Sequence, residues 1–290
     1  MSARRTVLYS VYGLLQFMGY FALRDLMSPY ATVLTFHRVN DKKQQDGLTV
    51  HPRLFDELLD VLVRRYRIVS LVRLCEMVSK SETLPARTVA LTFDDGYLDN
   101  FSVVAPILKD RKLPATFFVT SGYVETTRRF PWDVSDSVSH PMMTWEHVRQ
   151  LAAEGFEVGA HSVNHLNLGV CTADIARKEI TDSKRHIEDQ LGMAIAGFAY
   201  PFGWKWSMNE VTSRLVREAG FAYSCSNYGG KVTDRSDIFN IQRTGVYPTT
   251  TEMLMEVDSF MTHYDGVMRM HVLGACIPIG SSGDQVEDKT

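Results

Sequence analysis

Four cysteines in 290 residues, at positions 75, 171, 225 and 276, include no C-x-x-C pair. That absence leaves a zinc ribbon or a thioredoxin-like redox centre without support. Buried free thiols are the ordinary role that remains for cysteine here. No basic run interleaved with aromatic residues occurs, and the formal net charge is −3. Neither nucleic acid nor another polyanion is therefore implied as a partner. Internal repeats and low-complexity linkers are missing too.

What is present is the composition of a globular chain, 45% hydrophobic and 22% charged, long enough for one sizeable barrel-class domain or two small ones. The amino terminus stands apart. Thr6–Leu23 carries no charge, with Arg4 and Arg5 before it and Arg24 after. As a helix it is close to the length that spans a bilayer, yet three tyrosines, a glutamine and two glycines dilute it. Tyr9, Tyr12 and Tyr20 suit a membrane interface. The helix is expected to stop near Ser28-Pro29, with a core strand directly after it. So short a connection fits a helix lying against both the domain and a membrane surface. No small-x-small cleavage site for a signal peptide is evident. The expected organisation is a membrane-associated or packing helix over 1–30, a catalytic domain over 31–275 and a polar, disordered tail over 276–290.

Beyond residue 30, short β-rich runs alternate with helical ones. The expected strands are Ala31–Phe36, Thr88–Phe93, Ala115–Thr120, Phe156–Ala160, Ile195–Tyr200, Phe221–Cys225 and Ile241–Val246. The expected helices are Arg53–Arg65, Asn100–Lys112, Thr144–Glu154, Thr172–Gln190 and Ser207–Ala219, where apolar residues recur at helical spacing. Thr144-Trp145-Glu146-His147 lacks the Glu or Gln that completes a capping box. Gly122–Met143 has no clear period and reads as a long loop carrying Phe130, Pro131 and Trp132. Alternating strands and helices argue for a parallel sheet, doubly wound or closed, whose functional residues collect at the strands' carboxyl ends.

Three motifs close strands in that way. Thr92-Phe93-Asp94-Asp95-Gly96 sets two carboxylates side by side. Both are costly to bury charged, and a metal on one would leave the other as a base. His161-Ser162-Val163-Asn164-His165 spaces two imidazoles by four, as on one side of a helical turn. With Asp95 they form a two-nitrogen, one-carboxylate set, which suits zinc with open positions and equally the facial triad of non-haem iron. Asp94 beside the set favours water activation. Phe198-Ala199-Tyr200-Pro201-Phe202-Gly203 is a Pro-aromatic-Gly turn that can aim backbone N–H groups into a site.

In this order the motifs resemble those of the polysaccharide deacetylase family (the NodB homology domain), over about residues 31–247. The resemblance implies a distorted, incomplete (β/α) barrel of about seven parallel strands. It implies a metal-dependent hydrolase acting on N-acetylated carbohydrate of the N-acetylglucosamine type. Asp94 would be the base, and Asp95, His161 and His165 would hold a divalent metal, zinc before others. Phe202 would give a backbone N–H to the oxyanion, with Tyr200 and Pro201 at the substrate. Two departures stand out. The third motif has Ala199 where the family often carries an arginine, and Arg243 is the candidate replacement. The family's late apolar-x-apolar-His motif, the source of its general acid, is matched early by Leu34-Thr35-Phe36-His37. In a closed barrel the first and last strands are neighbours, so His37 can serve. Met268-Arg269-Met270-His271 is the rival. Trp132, Trp204 and Trp206 are candidates to stack on sugar rings. Hydrolysis of another C–N bond or of a lipid-linked sugar, and an inactive carbohydrate-binding relative, are the alternatives.

Overall fold

The computed structural model describes residues 3–27, 29–42 and 46–259. His271, Cys276 and the polar tail lie outside them. The strands are β1 (Ala31–Phe36), β2 (Arg38–Val39), β3 (Thr49–Val50), β4 (Arg67–Ile68), β5 (Thr88–Phe93), β6 (Thr116–Val119), β7 (Glu157–Ala160), β8 (Gly197–Ala199), β9 (Tyr223–Cys225) and β10 (Arg243–Thr244). The helices are α1 (Ala3–Phe17), α2 (Tyr20–Met27), α3 (Pro52–Arg65), α4 (Leu71–Ser79), α5 (Ala105–Asp110), α6 (Trp145–Ala153), α7 (Ala173–Leu191), α8 (Glu210–Glu218) and α9 (Thr250–Val257).

Seven strands run parallel in the order β10-β1-β5-β6-β7-β8-β9, with β4 paired to the start of β5. A parallel bridge from Cys225 to Ile241 brings β9 to the segment that leads into β10, so the sheet nearly closes. This is the distorted (β/α) barrel expected from the motifs.

Side chains on a strand alternate between faces, and the alternation divides the core in two. Leu34, Phe36, Leu91, Phe93, Phe117, Val119, Phe198 and Tyr200 pack outward against Phe55, Leu58, Val148 and Ile180 of the surrounding helices. Ala31, Val33, Ala90, Phe118, Ala199, Tyr223, Cys225 and Ile241 point inward, joined by Leu71 and Leu74 of α4. Gly159 belongs to the inward set. A Cβ there would lie 2.5 Å from the Phe118 ring, so the bulk of Phe118 requires its absence.

Several elements depart from expectation. The apolar amino-terminal stretch is two helices bent by 67° rather than one, because the chain turns at Gly19, φ +69°. Their inner face is committed to the barrel through buried Leu8, Tyr12 and Phe21. Residues 100–104 form a π-helical turn ahead of α5. A capping box does open α6, because the His147 ring takes the part of the absent Glu and accepts the Thr144 N–H. The helix expected from Ser207 starts at Glu210, where Asn209 and Thr212 cap each other in a capping box. Helices α4 and α9 are additional.

Gly159→Val overfills the barrel interior. It is expected to destabilise the fold by about 1–3 kcal/mol, read as a lowered urea midpoint. An unchanged midpoint would show that Phe118 does not need the space.

Candidate active site

Strand parity assembles the site. Phe36 pairs with Phe93 in the parallel register of β1 and β5, and both rings face outward, stacked at 5.2 Å. The next residue on each strand, His37 and Asp94, therefore turns inward, one beside the other. His161 follows Gly159 by two and Arg243 follows Ile241 by two, so both share that inward parity. All but Arg243 sit just past the carboxyl ends of their strands.

Asp94 is fixed by Arg243. The guanidinium donates to both carboxylate oxygens at 2.7 Å, to Thr92 Oγ1 at 3.1 Å and to the Ser226 carbonyl at 3.0 Å. Both side chains are buried. Burial alone would raise the Asp94 carboxyl, but the Arg243 charge against it prevails and draws it down to about 2. Asp94 is thus ionised at any neutral pH. The strand β10 supplies the arginine that the third motif lacks.

Asp95 is its opposite. It is wholly buried, and neither oxygen has a hydrogen-bond partner. Burial first, and then the Asp94 charge, push its carboxyl well above the usual range. His161 Nε2 lies 3.6 Å and His165 Nε2 3.4 Å from Asp95 Oδ1. His161 Nδ1–H donates to the Ala199 carbonyl at 2.8 Å, which leaves Nε2 as the free lone pair. Burial lowers both imidazoles, His165 further because His161 is adjacent. Both are neutral and able to ligate. These three groups can converge on one ion.

The residues 161–165 are not a helical turn. Ser162 and His165 both have positive φ, +61° and +56°. The loop is pinned instead by Glu179 of α7, which accepts the Val163 and Asn164 N–H groups at 3.0 and 2.7 Å and the Asn164 side-chain amide at 2.7 Å. His165 N–H donates to Ser162 Oγ at 3.0 Å.

His37 follows β1, and the Asn100 side chain, in the π-helical turn, donates to its carbonyl at 2.7 Å. Its Nδ1 is buried without a partner. Burial draws the imidazole down to about 4, against the pull of ionised Asp94.

An aromatic wall stands over His165. Trp132 and Phe202 meet its ring edge-on at 5.0 and 4.8 Å, and Phe130 stacks behind Trp132 at 4.7 Å. Trp132 Nε1 donates to Tyr97 Oη at 3.0 Å, and Tyr97 donates to Asp133 Oδ2 at 2.6 Å. Buried Arg38 holds the other Asp133 oxygen, so the long loop is fixed in place. With both its oxygens engaged, Asp133 gives little to a second cluster with Asp136 and His140. Phe202 is half-exposed with φ +62°, and its N–H meets no acceptor among the described residues.

Tyr200 must be reassigned. It shares the outward parity of Phe198 and is wholly buried against it at 5.2 Å, so no face of it reaches the cleft. Pro201 is buried at the turn, while Trp204 and Trp206 stand exposed beyond it. Glu179, Tyr97, Asn100 and Arg38 were not anticipated. Glu179 had a visible signal: a lone acid on the buried stripe Ala176, Ile180, Ser183 and Ile187.

The polysaccharide deacetylase family model matches residues 81–224. Poly-beta-1,6-N-acetyl-D-glucosamine N-deacetylase of Staphylococcus aureus is 24% identical over 186 residues, covering 61% of this chain and 60% of that protein. Chitooligosaccharide deacetylase of Rhizobium leguminosarum is 31% identical over 102 residues, 35% of this chain and 40% of that one. The chain thus spans about half the length of these curated relatives. The structure of Streptococcus pyogenes deacetylase PplD in complex with acetate superposes with a TM-score of 0.67 at 23% identity, covering 79% of this chain and 98% of that one, a likeness of fold. With its barrel and its three motifs at the strand ends, the chain belongs to the polysaccharide deacetylase family.

Proposed function

We propose that the chain is a metal-dependent hydrolase that removes N-acetyl groups from a carbohydrate of the N-acetylglucosamine type. The observation that carries this reading is the unpartnered Asp95 carboxylate facing two neutral imidazoles, beside a carboxylate held ionised. With both oxygens orphaned and burial opposing its ionisation, Asp95 can carry its charge only against a cation. The donor set of two nitrogens and one oxygen suits zinc, and Asp95, His161 and His165 would hold it. When bound, such a metal polarises the acetyl carbonyl and acidifies a water.

The chain's own groups do the rest. Asp94, aimed by Arg243, takes a proton from the attacking water. The Phe202 N–H faces the oxygen on which negative charge builds. That charge raises the proton affinity of neutral His37, so the proton that Asp94 has taken passes through His37 to the departing amine, and both groups end as they began. The amide C–N bond breaks, and acetate and a free amine leave. Trp132 and the half-exposed Phe202 offer faces for a sugar ring, with exposed Trp204 further along the rim. The name of the Staphylococcus aureus relative supports N-acetylglucosamine as the sugar.

Acetate release from N-acetylglucosamine oligomers, with and without a chelator, tests the reading. Release that stops with chelator and returns with zinc is expected; no release from any N-acetylated oligomer would overturn it. Asp94→Asn is expected to keep metal and lose turnover, whereas His161→Ala loses both, as read by metal analysis and acetate assay. Turnover intact in both variants would remove these roles. Glu179→Ala is expected to weaken zinc about 10–100-fold by calorimetry, since it loosens the loop that carries both imidazoles. An unchanged affinity would make Glu179 a packing residue only.

A further inference from the structure

The end of the barrel where the strands begin carries a second surface, independent of the deacetylase reading. There α1 and α2 lie against the barrel by one face only. Tyr12 donates to buried Asp258 at 2.6 Å, Gln16 donates to the same carboxylate, Arg5 pairs with Glu252, and Phe21 is buried. The opposite face is apolar and open to solvent. Leu14, Leu23 and Leu26 are exposed on it, with Phe17 at 91% and Met27 at 80% the furthest out. Exposed apolar surface of this continuity marks an interaction site.

Charge and shape select the occupant. The helix pair contains one acid, Asp25, which is buried and paired with Arg24. Nothing on the pair therefore repels an anionic surface. Arg65, at the end of α3, has no carboxylate partner among the described residues, and it lines a cavity of about 780 Å³ together with Tyr9, Gln16, Phe17, Arg87 and Leu254. An exposed guanidinium beside a protruding Phe matches a phosphate headgroup beside its acyl chain. No single helix among the described residues is long and apolar enough to cross a membrane. The bent pair together has the length and composition of a broken span, but with Leu8, Tyr12 and Phe21 buried against the barrel only its outer ridge is free to meet another surface.

We propose that the outer face of α1 and α2, with Arg65 at its edge, docks onto an anionic phospholipid bilayer. The acyl region takes Leu14, Phe17, Leu26 and Met27, and a lipid phosphate takes Arg65. The catalytic cleft then opens away from the bilayer, at the far end of strands up to six residues long.

Vesicle flotation of the full-length chain tests this without reference to turnover. The probe is phosphatidylcholine containing about 30% phosphatidylglycerol, beside pure phosphatidylcholine. The parent is expected to float with the anionic vesicles. Phe17→Glu combined with Met27→Glu should reduce binding about tenfold or more. Arg65→Glu should weaken binding to anionic vesicles and leave the weaker binding to neutral ones unchanged. Both sites are exposed, so a thermal melt matching the parent confirms folding. A parent that stays unbound overturns the proposal. If it is then a dimer that the double substitution splits, a second copy covers the face. If it is a monomer, the face takes neither a bilayer nor a second copy. A double variant that floats like the parent overturns it as well, and an unaltered Arg65→Glu variant removes the phosphate contact.

Discussion

The bidentate pairing of Arg243 with Asp94 is the contact on which the rest depends. It reaches from β10 across β1 to the end of β5, and Arg243 also binds the carbonyl of Ser226, just past β9. One side chain thereby ties β10 to the end of β5 and to the residue after β9, where the sheet closes. A buried pair of this kind adds little net stability over an apolar pair, but losing one partner strands the other's charge at a cost of about 3–5 kcal/mol. Its consequence for chemistry is larger. Arg243 donates to both oxygens of Asp94 and keeps it ionised, while Asp95, wholly buried beside that charge, has no hydrogen-bond partner of its own. Where that one arginine stands decides that Asp94 is the ionised member of the adjacent pair and leaves the orphaned Asp95 to the two imidazoles.

Much of this was legible because the barrel imposes a rule on sequence. Residues that close parallel strands meet at one end, so Asp94, Asp95, His161, His165 and Phe202 could be grouped from strand-ending motifs. His37 could be placed with them because a closing barrel sets its first strand beside its last. Arg243 was a candidate from its place in the last expected strand, Ile241–Val246, once Ala199 was seen where the motif often has an arginine. What was lost was mostly parity and local geometry. Tyr200 reads as a site residue by proximity, yet Phe198 and Tyr200 alternate with Ala199, and bulk outside with smallness inside assigns the tyrosine to the helices. The spacing of His161 and His165 suggests a helix, whereas two left-handed residues and Glu179 produce the convergence. Such a turn has no period to detect. The cap at Thr144 went unseen because an imidazole filled an acid's place.

The rigidity of the site comes from residues that never touch it. Glu179 reaches in from a helix whose neighbours are apolar, and three N–H groups repay its burial. Asn100 holds the carbonyl of His37 from a π-helical turn, a departure from regular helix that recurs near functional sites. Arg38 and Tyr97 share Asp133 and so fix the loop bearing Trp132. Each positions a group of another element, so the site's precision rests on the outer layer of the barrel as much as on its ends.

The amino-terminal segment shows where composition misleads. Eighteen uncharged residues from Thr6 to Leu23 invite a reading as a span. Yet Asp258 is wholly buried, and the hydroxyls of Tyr12 and Tyr66 and the amide of Gln16 all donate to it. Drawing α1 off the barrel into a bilayer would strip two of those three donors from a buried carboxylate, at about 1–3 kcal/mol for each bond lost. It would also uncover Leu8 and Phe21. The inward face holds the helices on the barrel, the apolar side chains of Leu14, Phe17, Leu26 and Met27 stand outward, and the turn at Gly19 lets one short segment do both. An apolar run with a buried acid as its anchor is therefore better suited to lying on a surface than to crossing it.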